Sequence, residues 1–212
     1  MANKNTYLLI EFVALFCITP PLLAYLKPHG MIYFILWIAA FLAWLWMRSQ
    51  GYSLKNDWNH RVVGKISFTG IFLQLFLITY ALLMFTVVIV PERLFSLPLQ
   101  KPGLWIMVLI LYPLLSVIPQ EILFRSFFFK RYKELFKTQV NLIIASAVSF
   151  GWVHIILLNW VAVVFSIFGG LIFARTYAKT SSLAASCAEH AIYGCIIFTL
   201  GLGYYFYHGA VR

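Results

Sequence analysis

Glu121 and Arg125 stand four residues apart in a stretch, residues 117–131 (VIPQEILFRSFFFKR), that is otherwise apolar enough to lie in lipid. On a helix this spacing puts both on one face, where they can pair. Ionisable groups at membrane depth are costly and mark functional sites by default. His154, His190 and Glu189 lie in two later apolar runs. A glutamate with two histidines can hydrolyse an amide in two ways. The carboxylate can act as general base on a water while the imidazoles polarise the carbonyl and its oxyanion. Alternatively all three can ligate Zn²⁺, which then activates the water. There is no HExxH, so the metal version rests on residue types alone, and no serine-triad pattern is visible.

The elements that must position these groups follow from composition. Of 212 residues 63% are hydrophobic and 10% charged, against roughly 25% charged in a soluble domain. The sequence predicts an all-α polytopic transmembrane helix bundle, a single membrane domain over residues 1–212. Apolar runs mark about seven spans, near residues 6–26, 31–47, 66–90, 103–131, 141–157, 160–177 and 181–205. Residues 1–102 supply N-terminal helices and 103–206 the part carrying the chemistry. The first run has no small-x-small cleavage pattern after it and reads as a retained helix. Pro20-Pro21 predicts a kink in it. Pro113 and Pro119 predict a break and a helix restart, placing Glu121 near a helix N-terminus. Gly169-Gly170 predicts close helix approach.

The net charge of +10 suggests nucleic acid at first sight. The charges sit in short loops between apolar runs, as membrane-orienting charges do, and no nucleic-acid partner is expected. With seven spans, twelve of the sixteen Lys and Arg residues fall on the side of the N-terminus, so that side is expected to be cytoplasmic. Residues 130–138 (KRYKELFKT) read as a basic surface segment against anionic lipids. Glu11 reads as a carboxylate reaching back to the headgroups. The Phe124, Phe127, Phe128 and Phe129 run reads as lipid-facing, and His60 as a solvated loop residue. Cys17, Cys187 and Cys195 carry no disulfide or zinc spacing and read as free thiols.

Measured along straight helices from the cytoplasmic ends, Glu121 is roughly 13 Å deep, His190 about 16 Å and His154 about 20 Å. Three separate helices thus bring a carboxylate and two imidazoles to one band of the bilayer, which implies a wet cavity with chemistry in it.

Gln120-Glu121-x-x-x-Arg125, Phe150-x-x-x-His154 and then His190 resemble the three motifs of the CPBP (CaaX protease and bacteriocin-processing, or Abi) intramembrane proteases. The resemblance spans roughly residues 114–206. It implies an intramembrane endopeptidase of the bacterial inner membrane, acting on a hydrophobic or lipidated peptide or protein. It also implies a glutamic-type site with no cofactor, zinc ranking second. Carried over residue by residue, Glu121 is the base and Arg125 orients it, while His154 and His190 position water and hold the oxyanion. Two positions depart from the pattern: Gln120 replaces a glutamate, and Gly194 stands where an asparagine follows the last histidine. Glu189 and Asn159 are the expected substitutes, as second carboxylate and amide donor. The reading from another class is a catalytically inactive membrane scaffold or bacteriocin-immunity protein on the same fold. A proton-coupled transporter would require inverted repeats, and none is visible.

Overall fold

The computed structural model describes residues 4–27, 30–65 and 68–206. Among these the regular structure is helical. Six helices are long and apolar enough to cross a membrane: α1 (Lys4–Leu26), α2 (Ile32–Ser49), α4 (Phe68–Ile89), α6 (Pro102–Phe136), α7 (Gln139–Leu157) and α8 (Trp160–Thr180). The seventh apolar helix, α9 (Leu183–Thr199), has 17 residues. Short helices α3 (Leu54–Trp58) and α5 (Ser96–Gln100) lie in the connections. The connection between the second and third expected spans thus contains α3 and a 3-10 turn, with His60 exposed as expected. The expected start of the third span at Ile66 lies outside the described residues, as does the tail from 207.

The prolines widen helices rather than break them. Helix α6 runs unbroken for 35 residues and contains two π-helical turns, Pro113–Val117 and Ile122–Phe127. The expected restart at Pro119 is therefore absent, and Glu121 sits mid-helix. A π-helical turn absorbs the missing N–H by shifting the hydrogen-bond register. Helix α1 does the same at Val13–Ile18, just before Pro20-Pro21. Two of the carbonyls that the prolines leave without an i+4 donor accept an indole N–H. Pro119 cannot serve Leu115, whose carbonyl accepts the Trp37 indole N–H at 3.0 Å. Pro21 cannot serve Cys17, whose carbonyl accepts the Trp152 indole N–H at 3.1 Å. In lipid no water could replace those donors.

Small residues bring α7 and α8 together, as expected in a membrane where close packing drives association. A Cβ on Gly170 would stand 3.0 Å from Ala147 Cα, and one on Gly151 would stand 2.9 Å from the Ile167 backbone nitrogen. Gly169 only faces Phe173 of its own helix. Three polar caps start the later helices: Thr138 accepts from Asn141 N–H, Asn159 from Ala162 N–H and Ser182 from Ala185 N–H.

The phenylalanine run faces inward, contrary to expectation. Phe124, Phe127 and Phe128 are buried and Phe129 is half-buried. Phe16 packs edge-on against Phe124 and Phe128, and Phe12 against Phe128, Tyr132 and Phe136. Such pairs contribute about 0.5–1.5 kcal/mol each beyond their buried area. The basic segment is likewise half internal. Glu11 takes a two-pronged contact from the Arg131 guanidinium and a 2.8 Å bond from the Tyr132 hydroxyl. It reaches across to α6, not to the headgroups. Lys130 pairs with Asp57 at 2.8 Å, and Asp57 also accepts from Tyr177 and Ser126. Lys130 and Arg131 are thus neutralised within the protein; Lys133 and Lys137 are exposed.

Candidate active site

The site is built from two i,i+4 pairs on facing helices. On α6, Glu121 and Arg125 are both fully buried, with Arg125 Nε 3.2 Å from Glu121 Oε2. On α9, Ser186 and His190 bracket the same carboxylate. The Ser186 hydroxyl contacts Oε2, and His190 Nδ1 lies 2.9 Å from Oε1. A carboxylate only accepts, so Nδ1 carries the proton toward Glu121 and Nε2 is left without it. The guanidinium is held in turn. Arg125 Nη1 donates to Ser146 Oγ at 2.8 Å and to the Phe124 carbonyl at 3.2 Å, while Ser146 donates to that carbonyl at 2.6 Å. It also lies 5.0 Å from the Phe150 ring centroid.

Phe150 joins the two histidines. Its ring centroid is 5.0 Å from that of His154 and 5.3 Å from that of His190. Phe173 stacks flat on His190, at 4.5 Å and 16°. His154 Nδ1 bonds the Phe150 carbonyl at 2.8 Å, which fixes the tautomer with the proton on Nδ1 and leaves Nε2 as the reactive nitrogen.

Both imidazoles line a cavity of about 2030 Å³, walled mainly by apolar side chains and including Tyr112, Ser116 and Gln120. Glu121 is not part of its wall. The carboxylate lies one layer behind His190, with both oxygens already engaged. Gln120, where the resembled pattern has a glutamate, does line the cavity. Its Nε2 bonds Ser116 Oγ at 2.6 Å, and its Oε1 is buried without a partner among the described residues.

The two expected substitutes are placed otherwise. Glu189 is turned to α4, where Gln74 Nε2 donates to it at 2.7 Å and to the Tyr193 hydroxyl at 3.2 Å, and it is absent from the cavity wall. A residue next to His190 on a helix points about 100° away from it. Asn159 lines the cavity, but its amide caps α8 and donates to the carbonyls of Tyr205 (2.8 Å) and Leu157 (3.3 Å). Ser186, Ser146, Phe173 and Tyr112 belong to no motif that the sequence displays. The first two are legible in hindsight, one helical turn before His190 and before Phe150.

Among the described residues, no three His, Cys, Asp or Glu side chains are grouped so as to hold a metal ion. In the set Glu121–His154–His190, the Glu121–His190 hydrogen bond occupies the space a shared metal would need. Glu121 and His190 are thus not placed to be direct ligands of one shared zinc ion.

The arrangement is an ion pair backing an imidazole that faces an apolar cavity. That layout can hold a water and remove its proton.

No curated protein and no solved structure matches the chain. Residues 102–196, which hold Glu121, Arg125, His154 and His190, match the family model described as type II CAAX prenyl endopeptidase Rce1-like, in line with the resemblance to the CPBP membrane proteases drawn from the motifs.

Proposed function

We propose that the chain is an intramembrane endopeptidase that hydrolyses a hydrophobic or lipidated peptide through a Glu121–His190 pair. The observation that carries this is the buried Glu121 carboxylate 2.9 Å from Nδ1 of an imidazole whose other face lines the cavity. Glu121 orients His190 through the hydrogen bond to Nδ1. His190 Nε2 takes the proton from water as the water oxygen bonds to the scissile carbonyl carbon, and the carbonyl π pair moves onto oxygen. On collapse of that intermediate, the amine leaves with the proton held by His190. His154 Nε2 is the second group able to position the water. Glu121 thus acts through His190 rather than touching water. The cavity exceeds the roughly 300–1,000 Å³ of ordinary small-ligand pockets, which supports an acyl or isoprenoid chain together with a peptide. Lys133 and Lys137 remain for anionic lipids, and the excess of basic residues on the N-terminal side supports a cytoplasmic N-terminus in a bacterial inner membrane.

The test uses detergent-solubilised protein and two internally quenched probes, a farnesylated peptide ending in a CaaX sequence and its unprenylated counterpart. Wild type is expected to cleave at least one. His190→Gln, which leaves the Glu121–Arg125 pair intact, is expected to lower kcat by about 10²–10⁴-fold. Unchanged kcat in His190→Gln sinks the mechanism. The scaffold reading draws support from Gln120 and from the fully engaged Glu121; it gains if wild type binds the probes and cleaves neither.

A further inference from the structure

Gly194 stands one turn beyond His190 on α9, and its missing side chain is explained by one neighbour. A Cβ at 194 would overlap the ring and hydroxyl of Tyr112 from α6. The phenol occupies the volume into which any residue-194 side chain would project. The Tyr112 ring stands edge-on to His190, centroids 6.0 Å apart at 78°, and edge-on to Phe198 at 5.3 Å. It lines the same cavity, and its hydroxyl takes no part in the network around Glu121. The amides of Gln120 and Asn159 already donate to protein acceptors. The hydrolysis proposed above needs a donor for the carbonyl oxygen, and that donor must stand close to the base without being consumed by it.

We infer that Tyr112 is a catalytic residue of this chain, its phenol hydroxyl donating the hydrogen bond that holds the substrate's carbonyl oxygen as negative charge develops there. This rests on the proposed endopeptidase reading. As the water oxygen bonds to the carbonyl carbon, the π pair becomes a lone pair on the oxygen. The Tyr112 proton stays on Tyr112 throughout, while the proton of the water goes to His190 and then to the leaving amine. Gly194 is the residue that makes room for the ring.

Two readouts test it: kcat on the cleaved peptide, and the Kd of that peptide's phosphinate, whose P–O⁻ mimics the tetrahedral oxyanion. Tyr112→Phe keeps the ring and its packing. It is expected to lower kcat by about 10²–10³-fold with KM unchanged, and to weaken phosphinate binding by a similar factor while product-peptide binding stays put. The double variant Tyr112→Ala/Gly194→Asn, which puts an amide donor into the vacated space from the α9 side, is expected to recover at least about tenfold of that kcat loss. Cleavage by wild type with kcat and phosphinate preference retained in Tyr112→Phe overturns this assignment alone. A wild type that neither cleaves nor prefers the phosphinate overturns the endopeptidase reading and this one with it.

Discussion

Two sets of ion pairs lie on helix α6, and they do different work. Glu121–Arg125 is contained within a single helical turn, fully buried, and closed off by Ser186, His190 and Ser146. Glu11–Arg131 and Lys130–Asp57 lie one or two turns further along, are partly exposed, and tie α6 to α1 and α3. The outer pairs are clasps between distant parts of the chain. The inner pair brings no helices together by itself; it holds a charge in a fixed place behind an imidazole. Burying an ion pair is weak evidence for stability, because desolvation offsets the attraction. At the centre of this bundle its geometry instead suits the role proposed for Glu121 behind His190.

Glu121→Gln breaks the comparison most severely. It is expected to abolish cleavage and also to cost about 3–5 kcal/mol, because Arg125 is left buried and uncompensated. Thermal unfolding in detergent reads the second effect. The double variant Glu121→Gln/Arg125→Gln is expected to regain most of that stability while remaining inactive. Recovery of cleavage in the double variant would make the pair structural only. A double-mutant cycle on Glu11→Gln and Arg131→Gln is expected to give a coupling of roughly 0.5–3 kcal/mol, with kcat within about threefold of wild type. A tenfold or greater loss of kcat would merge the two sets into one functional unit. The smallest effect is that of salt. Raising NaCl from low to about 1 M shortens the Debye length to about 3 Å, and is expected to weaken the outer clasps by a few tenths of a kcal/mol. Glu11→Gln/Arg131→Gln should lose most of that salt sensitivity, and the inner pair should contribute none.

What could be read from the sequence follows the same division. The inner pair is local, so an i,i+4 spacing sufficed to place Glu121 against Arg125. The meeting of Glu121 with His190 was suggested by depth and motif order. The outer clasps join residues some 70–120 positions apart, and no period in the chain announces them; the sequence alone points Glu11 and Arg131 at headgroups and lipid. The phenylalanines misled because in a membrane protein an apolar residue is equally at home inside and outside. Composition cannot separate the two, and only the facing helix decides. Glu189 was adjacent to His190 in sequence but about 100° away on the helix, and adjacency outweighed geometry. Asn159 lies directly before a helix, the commonest place for an N-cap, and that local role takes its side chain. Tyr112 had no signal of its own; the clue was a glycine 82 positions later.

The two tryptophans that serve the proline-orphaned carbonyls set a constraint on motion. Trp37 joins α2 to α6, and Trp152 joins α7 to α1. In hydrocarbon a carbonyl cannot exchange its donor for water, so parting either helix pair leaves a polar group stranded. The pairs therefore travel as latched units, and any sideways entry to the cavity must run between units rather than through them. The indoles that form the latches are fluorescent, which makes each a built-in gauge of whether its joint is closed.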